Sequence, residues 1–117
     1  MILSFELPWA TPSNNQLLRM HWSVRRRMLT EMRVAVLALI LRSATEWPRP
    51  PGRKVAVTIT RVSPRQLDRD NLYGGAKVLL DAMTQLGLIR DDSEQWVKVN
   101  IGQRRGDACT KVRLRLL

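Results

Sequence analysis

Four short stretches of the chain alternate apolar and polar residues with a period of two, and this pattern limits the possible folds more than any other. Leu3, Phe5 and Leu7 alternate with Ser4 and Glu6; Val55, Val57 and Ile59 share one face of KVAVTITRV, Lys54 to Val62. In the last stretch Val97, Val99 and Ile101, then Val112, Leu114 and Leu116, do the same. A period of two puts alternate side chains on one face of a strand. The last two runs flank RRGDAC, so the spacing predicts a hairpin whose outer face, Lys98, Lys111, Arg113 and Arg115, is basic.

Between the strands the period lengthens. From about Ser23 to Thr45, Val24, Met28, Met32, Val36 and Leu39 recur every three or four residues, which predicts a helix with a basic first half and an apolar second half. A second helix is expected from about Gly75 to Gln85, with Ala76, Leu79, Leu80 and Met83 on the core side, Lys77, Asp81 and Thr84 opposite, and Gly87 as its stop. PWATPSNN ends the first strand, and PRPPG, Pro48 to Gly52, reads as a short rigid linker inside the domain. The expected architecture is a single α+β domain, residues 1–117, with two helices packed on a small mixed sheet of about four strands in the order β-α-β-α-β-β.

The chain carries a net charge of +10, from twenty Lys and Arg against ten Asp and Glu. Such an excess draws polyanions, and nucleic acid is the expected partner. One cysteine, Cys109, excludes an intramolecular disulfide and a Cys-based zinc site, and one histidine, His21, excludes a His cluster. Any metal must therefore bind through oxygen. MILSFELPW has no basic leader and carries Glu6, which argues against a signal peptide. The longest apolar run, Val34 to Leu41, is far short of the roughly 20 residues that span a bilayer, so no membrane association is expected.

Against this basic background, six of the ten acids fall between Asp68 and Glu94: Asp68, Asp70, Asp81, Asp91, Asp92 and Glu94. If the second strand's extended path continues to them, Asp68 and Asp70 point to the same side, an arrangement that a cation between them would relieve. The spacing is not that of a calcium-binding EF-hand loop, because Tyr73 and Leu79 stand where its Gly and bidentate Glu belong. Magnesium suits one or two carboxylates, keeps its waters and bridges to phosphate. The same residues also have ordinary uses: Asp70 or Asn71 as a helix cap, and Asp91, Asp92 and Ser93 as a turn. The four tryptophans, Trp9, Trp22, Trp47 and Trp96, read as core, and Tyr73 as the aromatic placed to touch unpaired bases.

Taken together, DRDNL (Asp68 to Leu72), Lys77, LLDAM (Leu79 to Met83) and GLIRDDSEQ (Gly87 to Gln95) resemble the RusA family of Holliday-junction resolvases. The signature of that family is D-x-D-N-L, then a Lys, an L-L-D-A and a G-L-x-x-D-D. Its early P-S-x-N loop is echoed by Pro12, Ser13, Asn14 and Asn15, followed by RMHWSVRRR, Arg19 to Arg27. The resemblance implies a cytoplasmic, bacterial or phage-encoded endodeoxyribonuclease that hydrolyses four-way DNA junctions with Mg2+, for which Mn2+ can substitute, and no small-molecule cofactor. It implies Asp68, Asp70 and Asp92 as metal ligands and Lys77 as the catalytic cation. Asn15, Arg19, His21, Arg25, Arg26, Arg27, Arg69 and Tyr73 are the expected DNA contacts, and Asp81 is expected to pair with or orient Lys77. NLYGGA makes the step from Asp70 to Lys77 a few residues longer than the family spacing, and Gly74 and Gly75 are expected to absorb it as a loop before the helix. A homodimer is expected from the two-fold symmetry of a four-way junction, with part of Val34 to Leu41 at the interface. Two other functions fit the same residues: a branched-DNA-binding protein with weak or no cleavage, and a small basic RNA-binding module.

Overall fold

A computed structural model describes residues 1–117. The elements run β1 (Ile2–Leu7), α1 (Asn14–Arg19), α2 (Trp22–Arg42), β2 (Val55–Val62), α3 (Arg69–Gln85), β3 (Val97–Arg104) and β4 (Cys109–Leu116). The fold is the expected α+β class, a four-stranded sheet in the order β1-β4-β2-β3. β4 is antiparallel to β1 and to β2, and β3 is parallel to β2, so the sheet is mixed. No helix is long and apolar enough to cross a membrane.

The inward face of the sheet carries Leu3, Phe5, Val55, Val57, Ile59, Val97, Val112 and Leu114, packed in one core with Met32 and Val36 of α2 and Ala76, Leu79, Leu80 and Met83 of α3. All helices lie on that side. The other face stays open, with Thr58, Lys98, Asn100, Lys111, Arg113 and Arg115 exposed.

The expected hairpin does not form. β3 and β4 are separated by β2, which pairs with both along its whole length. Val55, Val57 and Ile59 of β2 are fully buried, so this strand takes the centre. The α3 crossover then sets β3 beside β2 in parallel, the usual geometry of a strand-helix-strand unit. The RRGDAC turn steps over the end of β2: Ser63 N donates to Arg104 O at 3.1 Å and Gly106 N to Ser63 O at 3.3 Å.

The helices depart from expectation at their starts. α1 was not expected; Ser13 caps it in a reciprocal box, its Oγ accepting from Gln16 N at 3.1 Å while Gln16 Oε1 accepts from Ser13 N at 2.9 Å. α3 begins at Arg69 rather than Gly75, so NLYGGA is helix and not a loop. The physical reason is a close approach. A Cβ on Gly75 would collide with the Pro12 carbonyl oxygen, and one on Gly74 would lie 2.5 Å from Asn14 Cγ. Glycines at these points let α3 press against the loop that starts α1, at a propensity cost of about 1 kcal/mol each. At its other end α3 stops as expected: Gly87 has φ 74°, its N–H bonds Thr84 O and Leu88 N bonds Met83 O.

Gly75→Ala gains helix propensity but forces a methyl into backbone. The clash outweighs the gain, and the variant is expected to lose about 2 kcal/mol or more of stability in chemical denaturation. Gly52→Ala, where an added Cβ meets nothing within 4 Å, serves as the neutral control.

Candidate functional site

In the last inward-facing row of the sheet three of the four strands carry polar residues: Gln103 on β3, Arg61 on β2 and Thr110 on β4 are register partners, while Leu7 on β1 stays apolar. Each of the three polar side chains holds a loop. Gln103 bonds both backbone groups of Leu67, accepting from its N at 2.9 Å and donating to its O at 2.7 Å. Thr110 Oγ1 accepts from Thr11 N at 3.0 Å and donates to Trp9 O at 2.8 Å. Arg61 donates to Thr11 O at 2.8 Å and Arg65 O at 3.0 Å. The row thus fixes the segment from Trp9 to Thr11 and the approach to α3.

The extended path ends at Asp68, the N-cap of α3, and Asp70 already lies in the first turn, so the two do not alternate as on a strand. Asp68 Oδ1 accepts from Asn71 N and Oδ2 from Asn71 Nδ2, both at 2.9 Å. The backbone N–H of Asn71, then its amide, hold the Asp68 carboxyl below the usual aspartate range. Asn71 Oδ1 in turn accepts from Asn15 N at 2.9 Å. Asn71 therefore ties the acidic turn to the first turn of α1, which follows Pro12 and Ser13, a role not expected of it from the sequence.

With α3 continuous, Lys77 stands seven residues after Asp70 on the same face, about 10 Å along the axis. Helical side chains lean toward the N-terminus, so the Lys77 stem leans toward Asp70. Gly74 lies between them with Asn14 packed on it. Asp81 shares this face but does not pair with Lys77: the chain's one ion pair joins Lys111 Nζ and Glu6 Oε1 at 3.9 Å.

Asp91 and Asp92 precede β3. Asp91 Oδ1 accepts from Ser93 N at 2.6 Å, and Ser93, by its side chain first and its backbone second, holds this carboxyl below the aspartate range. Asp92 is exposed. Ser93 O accepts from Val97 N at the start of β3, whereas Leu67 is bonded to Gln103 near its end. The six strand steps from Val97 to Gln103 set the turn that holds Asp92 about 20 Å from the Leu67 end that leads to Asp68. One chain therefore places Asp68 and Asp70 at the start of α3 and leaves Asp92 apart. No three His, Cys, Asp or Glu side chains gather closely enough to hold a metal ion. Asp68 and Asp70 still suit magnesium, which needs one or two carboxylates and keeps its waters.

The basic arm projects from the body. In α2 the residues from Trp22 to Arg27 are all exposed, and packing against the core begins at Met28 and Leu29. Arg19, His21, Arg25, Arg26 and Arg27 are exposed there, and His21 caps α2 through Nδ1, which accepts from Ser23 N at 3.2 Å. Trp22 is not core: it is 65% exposed, with the His21 ring centroid 5.5 Å away and the Arg26 guanidinium 5.2 Å over its own. Arginines on both sides of Trp22 in RMHWSVRRR were the available signal. The other tryptophans are half-buried. Tyr73 is 42% exposed, with the Arg69 guanidinium 5.2 Å from its ring. The Cys109 thiol is pushed up, first by burial and then by Glu6, which keeps it a thiol.

No protein-family model matches the chain, and no curated protein matches it.

Hydrogen bonds to Asn71 favour ionised Asp68, so the stability they contribute is fully present above the unfolded value of about 3.9 and is lost as pH falls through the lower folded value. In a carboxyl NMR titration Asp68 is expected to titrate below about 3.9 and to move only part of the way back up in Asn71→Ala, which removes the side-chain amide and keeps the backbone N–H.

Proposed function

We propose that the chain is a magnesium-dependent endodeoxyribonuclease that cuts four-way DNA junctions as a homodimer. The observation that carries this reading is the link from Asp68 through Asn71 to Asn15: an ionised acidic turn bonded to the loop that leads into an exposed basic and aromatic arm. Binding alone would not call for acids there. In a chain of charge +10 they oppose phosphate, unless a cation mediates.

Asp68 and Asp70 would hold magnesium, or manganese in its place, which when bound polarises a phosphodiester and generates hydroxide. Asn71 keeps Asp68 oriented and charged. Lys77 offers a cation to the charge that develops on the phosphate. Arg19, Arg25, Arg26 and Arg27 hold the DNA backbone, His21 and Arg69 support the aromatic rings beside them, and Trp22 and Tyr73 offer faces to bases unpaired at the crossover. Asn15 fixes the loop by its backbone.

Asp92 reaches the same cation only from a second chain, so its part depends on the dimer. Val34 and Leu41, 62% and 70% exposed, lie with Ala38 along one stripe of α2 and give such a dimer an apolar surface. A second reading has support of its own: Asp68 caps a helix and Asp91 closes a turn, as they would in a protein that binds branched DNA without cutting it, or in a small RNA-binding module. Magnesium separates the two, since only the nuclease converts bound junction to product when it is added.

In a gel assay with four-way junction, duplex and single strand, Asp70→Asn is expected to abolish cleavage while junction binding in chelator is kept. Lys77→Ala is expected to slow cutting by about 10²-fold with little change in affinity. Asp70→Asn and Asp92→Asn chains, each inactive alone, are expected to recover nicking when mixed, because a mixed dimer holds one site with all its acids. No recovery on mixing would count against a site shared between chains.

A further inference from the structure

Arg61 is the one charged side chain in the core, 8% exposed. No carboxylate pairs with it. Its Nε and Nη1 each donate to a neutral backbone carbonyl, of Thr11 and Arg65. A guanidinium has five N–H groups, so three remain, both of those on Nη2 among them. Burying a charge without a countercharge is costly, and two carbonyls offset only part of it. The burial also lowers the Arg61 pKa, though a guanidinium remains charged.

Two hollows meet at this side chain. One, of about 420 Å³, is lined by Trp9, Thr11, Met28 and Glu31 among others, and Glu31 is its acid. The other, of about 580 Å³, is lined by Ser13, Gln16, Arg61, Ser63, Arg65 and Leu67 and has no acid. Ser13 Oγ accepts from Gln16 N and Ser63 Oγ from Arg65 N, which leaves each hydroxyl hydrogen free to donate. Gln16 Oε1, the side-chain acceptor in this lining, is already bonded to Ser13 N. The second hollow is therefore built of donors, with one guanidinium at its base and another, exposed, at its rim. It ends at Leu67, next to the Asp68 cap.

We propose that Arg61 is the base of an anion site that seats a phosphate group of a nucleic-acid backbone, flanked by Ser13, Ser63 and Arg65. An internal phosphate held there lies beside the acidic turn, so the site sets where a strand crosses Asp68 and Asp70. That the anion belongs to nucleic acid rests on the function proposed above; the anion site itself does not.

The test uses the intact chain and two probes. With inorganic phosphate, the thermal midpoint of the wild type is expected to rise above that in chloride of equal ionic strength, with the increment lost in Arg61→Met and partly kept in Arg61→Lys. Equal increments in wild type and Arg61→Met would overturn the site. If Arg61→Met does not fold, the Arg61 Nε–H resonance of the wild type decides: it is expected to move with phosphate and not with chloride, and a stationary resonance overturns the proposal. The second probe is duplex DNA in chelator, with 5′-hydroxyl or 5′-phosphate ends. Arg61→Lys, which keeps the charge but not the fork, is expected to weaken both duplexes about fivefold. Arg61→Met is expected to weaken them about tenfold and to reduce the salt slope by about 1. A response confined to 5′-phosphorylated ends overturns the assignment to an internal backbone phosphate. Phosphate binding at Arg61 without magnesium-dependent cutting leaves the anion site standing and removes the nuclease reading; cutting without any phosphate response at Arg61 does the reverse.

Discussion

The row Gln103, Arg61 and Thr110 is the constraint on which the candidate site depends. A sheet face buried under helices would ordinarily continue apolar to its end, as β1 does at Leu7 and as Val57 and Ile59 on β2 and Val112 and Leu114 on β4 begin to do. Polar groups in the final row instead reach past the sheet edge and bond backbone atoms of loops that have no ladder of their own. Buried backbone groups must find partners, so each of these bonds fixes loop geometry as well as adding stability. The segment from Trp9 to Asn15 is held from three sides, by Thr110, by Arg61 and through Asn71. It is irregular in shape yet pinned, which is what a site built on loops requires.

Electrostatics separates the acids from the rest of the surface. With one ion pair in the chain, nearly all the positive charge is left to solvent or to a partner. Asp68 and Asp91 are kept ionised by hydrogen bonds and not by neighbouring cations, apart from the last and smallest contribution of Arg90 to Asp91. Hydrogen bonds of this local kind are little affected by salt, whereas the pull of the basic arm on DNA is screened within about 10 Å at 0.1 M ionic strength.

Much of the fold was legible because period-two and period-three-to-four patterns report burial directly. The strands, the long helix α2 and the Gly87 stop follow from residues that alternate or recur. What escaped the sequence reading was set by contacts distant along the chain. Gly74 and Gly75 read as a loop by propensity, and only the nearness of Pro12 and Asn14 explains why they are helical. β3 and β4 read as a hairpin because they are consecutive, and only the demand of β2 for two partners moves them apart. α1 was legible in principle, since Ser13 and Gln16 have the capping-box spacing. Within the site, the closeness of Asp68 and Asp70 along the chain was plain, but the strand alternation expected of them was not met, because α3 starts between them. The remoteness of Asp92 could not be read from the sequence, because it follows from the direction of β3 relative to α3.

The strand order also governs how the chain can fold as it is made. β4 follows the other three strands in sequence but sits between β1 and β2 in the sheet, so Ile2 meets Arg115 and Val55 meets Leu116 only after β4 itself has been synthesised. Until then β1 has no partner, and β2 has at most β3, with one row of backbone groups and its apolar face available to other nascent chains. The emerging polypeptide therefore passes through its most adhesive state just before β4 is made, and closure of the sheet by that strand ends the exposure.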